Sequence, residues 1–152
     1  MGDSRRQTQF TTFIKKNYPT EKWIIAVADG DCKLATKLAT AGYYVIAIDP
    51  EIRYKVKHKH INYMKREFHR DFKIPRKIKL IVGLHPDEAT AEIILAAEKN
   101  NIKWAVVPCC IKGVEAYGIC NRTEWINKLR SLAKNIRETT LNIKGRNQVL
   151  YK

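Results

Sequence analysis

The sequence predicts an α/β fold: one open, mainly parallel sheet that ends in an antiparallel hairpin. Three observations predict it. Continuous apolar runs of strand length alternate with segments of helical periodicity. Most of those runs stop at turn-forming Asp, Gly or Pro. The last two strand-like stretches flank Lys144-Gly145-Arg146-Asn147, a tight-turn pattern.

Each element follows in order. Residues 4–17 read as a short polar helix that stops near Asn17-Tyr18-Pro19, so residues 1–20 form an N-terminal helical arm. Residues 23–28 (WIIAVA) are apolar throughout, as a strand buried on both faces must be. Asp29-Gly30-Asp31 is a turn. From 33 to 41, Leu34, Ala35, Leu38 and Ala39 recur at helical spacing, and Gly42 is the stop. A second apolar run, 43–48, ends at Asp49-Pro50, which completes a βαβ unit. Residues 61–64 and 79–84 supply two further strands, the latter ending at His85-Pro86-Asp87. An amphipathic helix spans 88–100, and a fifth strand spans 103–107, ending at Pro108-Cys109-Cys110. A helix over 122–136 carries Trp125, Leu129, Leu132 and Ala133 on one face. The alternating stretches 139–143 and 148–151 make the hairpin.

A length of 152 residues predicts one domain, 1–152, with a core that needs no staples. Hydrophobic content of 45% with 29% charged residues excludes wholesale disorder. No apolar run approaches the ~20 residues that span a bilayer. MGDSRRQTQF contains no apolar segment of a secretory signal, so an intracellular protein, cytoplasmic or nuclear, is expected. Cys32, Cys109, Cys110 and Cys120 lack C-x-x-C spacing, which predicts reduced thiols and no metal site.

The net charge is +14, and +9 of it lies in residues 53–79. Arg53, Lys55, Lys57, Lys59, Lys65, Arg66 and Arg70 are its candidate phosphate contacts. Tyr54, Tyr63, Phe68 and Phe72 are interleaved with them, and aromatic rings stack on unpaired bases. The pattern predicts a polyanionic partner, most simply nucleic acid. The bland alternative is a solvated face with the rings turned inward.

In open α/β sheets ligands bind outside the carboxyl ends of the strands. The turn Ala28, Asp29, Gly30, Asp31 leads into a helix whose first N–H groups suit a carboxylate or phosphate. Asp49 follows Gly30 by 19 residues, the spacing at which an acid accepts from ribose hydroxyls. An Asp before Pro50 is also an ordinary turn residue.

These residues carry a resemblance. VADGDCKLATKLATAGYYVIAIDP resembles the first two motifs of class I S-adenosylmethionine-dependent methyltransferases. In that family an acid at the end of strand one precedes a G-x-G-x-G loop. Ala26 stands at the acid, and Ala28, Gly30 and Cys32 stand at the glycines. Asp49 matches the ribose-binding acid, and Asp71-Phe72 is placed like the adenine-contacting motif. VGLHPDEAT resembles the L-H-x-C-G-x-A-T motif of a branch that includes tRNA acceptor-stem 2′-O-methyltransferases. That branch also includes the methyltransferase-like domain of glutathione S-transferase C-terminal-domain-containing proteins. Leu84, His85, Ala89 and Thr90 match, while Asp87-Glu88 replace Cys-Gly. Val107-Pro108-Cys109-Cys110 is similar to the branch's V-P-C-C, and Lys33-Leu34 also match.

The resemblance implies a Rossmann-like, class I methyltransferase fold and S-adenosylmethionine as cofactor. It implies Ala28, Asp29, Gly30, Asp31, Asp49, Pro50, Asp71, Phe72 and His85 around the cofactor. His85, as a base, and Asp87 would line the reaction pocket. Two functions remain open: a small RNA methyltransferase, or a catalytically inactive module on the same scaffold that binds RNA or a ribonucleoprotein. The oligomeric state is open too.

Overall fold

The computed structural model describes residues 2–109, 111 and 117–152. The expectation for Cys110 therefore lies outside the described residues. Five strands run parallel: β1 (Trp23–Val27), β2 (Tyr44–Ile48), β3 (Ile61–Met64), β4 (Leu80–Leu84) and β5 (Lys103–Val107). β6 (Arg137–Thr140) and β7 (Gln148–Tyr151) complete a seven-stranded sheet in the order β3-β2-β1-β4-β5-β7-β6. β7 is antiparallel to both β5 and β6, which makes the expected hairpin.

Helices cover both faces, and this is why the central strands are apolar on both sides. α1 (Arg6–Asn17) and α2 (Lys33–Thr40) bury Phe10, Ile14, Leu34 and Leu38 against one face. α3 (Ala89–Lys99) and α4 (Arg122–Ser131) bury Ile93, Ile94, Trp125 and Leu129 against the other. Tyr18, at the end of α1, places its hydroxyl between the carbonyls of Trp104 (3.2 Å) and Lys152 (3.1 Å), which pins the helix across the sheet.

Two expectations at the C-terminal end are corrected. α4 stops at Ser131 rather than reaching 136, and Asn135 beyond it adopts a left-handed φ of 60°. β6 starts at Arg137, two residues earlier than the alternation suggested. Leu141 and Ile143 belong to the connecting loop, where they turn into the core beside α1. Their alternation reflects loop burial, not pairing.

Residues 49–60 and 65–79 cross between strands without forming a helix. The basic segment is thus an irregular surface. Tyr63 fastens its first half, accepting the Val56 N–H at 2.9 Å and donating to the Val56 carbonyl at 2.7 Å.

Candidate functional site

A cavity of about 940 Å³ opens at the carboxyl ends of β1, β2 and β4. The turn after β1 carries unusual backbone. Ala28 has φ 58° and Cys32 has φ 55°, a region that favours glycine. The Ala28 N–H donates to the Ile48 carbonyl at 2.8 Å, and the Cys32 N–H to the Asp29 carbonyl at 2.8 Å. The loop therefore keeps a glycine-type path with Ala28 and Cys32 at two of its three glycine positions.

Asp29 is buried, and its carboxylate accepts from the N–H groups of Leu34 (3.3 Å) and Ala35 (2.7 Å). Burial pushes its pKa up to about 6, against the pull of those two hydrogen bonds. Asp31 accepts from the Lys33 N–H at 3.3 Å. This corrects one expectation: the first N–H groups of α2 are capped by the protein's own carboxylates and do not face a ligand.

The turn after β2 is stitched to the first. The Arg53 N–H donates to the Gly30 carbonyl at 2.7 Å. Asp49 accepts the Glu51 N–H on Oδ1 at 2.6 Å, so it is a turn residue as well as a cavity residue. A Cβ on Gly30 would lie 3.0 Å from the Glu51 carbonyl and 3.4 Å from Asp49 Oδ2. The glycine is what lets the two turns approach. Pro50 lines the same cavity.

At the end of β4, His85 (φ 55°) and Asp87 (φ 46°) are both left-handed. Three such non-glycine residues, Ala28, His85 and Asp87, line one cavity, each held against a backbone preference, a concentration typical of functional sites. His85 Nε2 lies 2.9 Å from the Arg146 carbonyl. A carbonyl only accepts, so Nε2 carries the proton and Nδ1 keeps the lone pair. Burial holds the imidazole pKa below its usual value, which favours the neutral form. The Asp87 carboxylate accepts from the Cys109 thiol at 2.7 Å. Gly83, just upstream, leaves room for Pro86 and Ile93: a Cβ there would sit 2.9 Å and 2.6 Å from their nearest atoms.

Not every predicted residue converges. Asp71 and Phe72 lie outside the cavity lining. Asp71 is exposed and receives Lys99 Nζ at 2.7 Å, and Phe72 packs on Phe68 with the Arg66 guanidinium above it. Phe68 takes the cavity position instead. Arg53 lines the cavity mouth, while Lys55, Lys57, Lys59 and Lys65 are exposed. Arg70 is engaged by Glu92 through its backbone and its side chain. Arg6 and Gln7 of α1 also reach the cavity, a contribution that no sequence signal announced.

The charge is segregated. Eight of the chain's 15 acidic residues line this cavity, in a protein of net +14. An acid-lined hollow favours a cationic ligand and disfavours a phosphate backbone inside it. No helix among the described residues is long and apolar enough to cross a membrane.

No protein-family model matches the chain, and neither does any curated protein. Solved structures do. Magnesium protoporphyrin IX methyltransferase from Synechocystis with bound S-adenosylmethionine superposes with TM-score 0.66 at 14% identity, over 98% of this chain and 80% of that one. Precorrin-6y C5,15-methyltransferase from Geobacter metallireducens gives 0.61 at 10% identity, over 97% and 87%. The apo S-adenosylmethionine-dependent methyltransferase SibL gives 0.63 at 10% identity, over 97% of this chain but only 54% of SibL. A further neighbour from Anabaena variabilis is likewise covered over only 64% of its length. The seven-stranded, mostly parallel sheet with its antiparallel C-terminal strands matches these neighbours, and the chain has the fold of the class I S-adenosylmethionine-dependent methyltransferases.

Proposed function

We propose that this protein transfers a methyl group from S-adenosylmethionine to RNA. The observation that carries the cofactor reading is Asp49, at the end of β2 and close against the Gly30 turn in the cavity lining. The residues fit the group. The cavity lies in the size range of small-molecule sites, and its acids suit a ligand with sulfonium and ammonium charges. Asp49 Oδ2 would accept from ribose hydroxyls, while Oδ1 holds the turn. Phe68 offers the apolar wall for a base. When bound, S-adenosylmethionine supplies an electrophilic methyl group.

The chain's own part is positioning and proton removal. His85 Nδ1 is the acceptor for a proton from the attacking group, because Nε2–H is held on the Arg146 carbonyl. Asp87 is held by Cys109 and shapes the turn that presents His85. The RNA reading rests on the exposed lysines between Arg53 and Lys59, which run outward from the cavity mouth.

A second reading, an inactive RNA- or ribonucleoprotein-binding module, has its own observation. Ala26 stands where the resembling family has an acid, and Asp29 caps α2 from within. Calorimetric titration separates the two. S-adenosylmethionine or S-adenosylhomocysteine should release heat and raise Tm, and Asp49→Ala should abolish both effects. Silence at millimolar ligand favours the inactive module, and unchanged affinity in the Asp49 variant removes the ribose assignment.

A further inference from the structure

The opposite end of the sheet carries a second feature. Trp23 opens β1, Tyr44 opens β2, and His60 immediately precedes β3. Register places them side by side: Trp23 pairs with Tyr44, and the Val45 N–H donates to the His60 carbonyl at 2.8 Å. Their rings form a ladder. Trp23 stacks on Tyr44 with centroids 4.4 Å apart and planes at 15°. Tyr44 meets His60 at 4.3 Å with the planes tilted by 44°, and His60 meets His58 edge-on at 5.4 Å and 63°. Lys77 Nζ sits over the Trp23 ring at 3.7 Å. Tyr44 is 37% exposed, and Lys22, Lys59, Lys77 and Lys79 around it are exposed.

We propose that this ladder at the amino ends of β1, β2 and β3 is a stacking platform for single-stranded RNA, distinct from the cavity at the carboxyl ends. The proposal deepens the RNA reading above and rests on it for the choice of nucleic acid. Trp23 packs partly against the core, but Tyr44 beside it is exposed, so the row lies at a solvent edge. Its outer ring face suits base stacking, and the surrounding ammonium groups match a phosphate backbone. The cap on the ladder is exchangeable. Lys77 covers Trp23 by a solvent-exposed cation–π contact, a weaker contact than a stacked base. A base that displaces Lys77 frees its ammonium for the adjoining phosphate. Lys59, Lys57 and Lys55 then continue from the ladder toward Arg53 at the cavity mouth, along the crossover before β3.

The test uses tryptophan fluorescence, since Trp104 and Trp125 are buried and Trp23 alone is partly exposed. Titration of the full chain with short oligoadenylate should quench emission. Tyr44→Thr, which keeps strand propensity, should weaken oligoadenylate binding by roughly tenfold. Trp23→Phe should keep binding and lose the quench. Polyphosphate, charged but without rings, should bind without quenching and without sensitivity to Tyr44→Thr. Oligoadenylate binding that leaves emission unchanged, or that survives Tyr44→Thr at full strength, overturns the platform. So does equal quenching by polyphosphate. Cofactor titration of Tyr44→Thr keeps the two readings apart: it should match the parent protein. Loss of cofactor binding in the parent, with quenching intact, sinks the methyl-transfer reading and leaves the platform standing.

Discussion

Asp29 shows how one side chain alters the meaning of a loop. In the sequence it is one acid of an Asp-Gly-Asp turn. In the fold it is a buried cap on α2 with its pKa raised to about 6. A carboxyl that is harder to ionise when folded lends stability that is full below its unfolded pKa of about 4. That contribution is lost as pH rises through 6. Two pH units correspond to about 3 kcal/mol, so the urea midpoint of Asp29→Asn relative to the parent should climb between pH 4 and pH 7. A flat difference would mean the carboxylate is not desolvated. Ala28 offers the complementary case. Glycine at φ 58° relieves a left-handed strain of roughly 1–2 kcal/mol and loses about half of it to chain entropy. Ala28→Gly should therefore stabilise by about 0.5–1 kcal/mol in urea unfolding. For the proposed chemistry, His85→Gln should lower methyl transfer by ~10²–10⁴-fold, far more than it changes cofactor affinity. Asp49 was legible because strand-end spacing is a local signal. Phe68 was not, because residues 65–79 have no periodicity from which an inward face can be read.

At the scale of elements, apolar pattern and turn residues were enough for β1, β2, β4 and β5, because strands buried on both faces leave a continuous apolar trace. The same logic failed at β6, whose four residues are all exposed. The apolar signal there belongs to Leu141 and Ile143 of the loop, so the eye is drawn past the true strand. Contact between β4 and α3 depends on Gly83. Gly83→Ala would push a methyl into Pro86 and Ile93, and overpacking of that kind costs about 1–3 kcal/mol in denaturant unfolding. Asn121 caps α4 by accepting the Glu124 N–H at 3.0 Å, and Asn121→Ala should cost about 1 kcal/mol by the same measurement.

Across the whole molecule, charge is divided between an acid-lined cavity and a basic crossover. Net charge alone, read from the sequence, points to a polyanion, but only the fold separates the basic surface from an acid-lined cavity. Reversal of Lys55, Lys57 and Lys59 to Glu should weaken RNA binding and make its log–log salt slope shallower by about 2, the share expected of three single-strand phosphate contacts. An unchanged slope would place the RNA elsewhere. The five-residue length of β1 and β2 has a consequence of its own. Ladder and cavity lie at opposite ends of those strands, about 16 Å apart at ~3.3 Å per residue. At a stacked spacing of about 3.4 Å, a single strand needs about five nucleotides to reach from one to the other. The length of these strands is therefore a ruler: methyl transfer to oligonucleotides should rise sharply once their length passes that span.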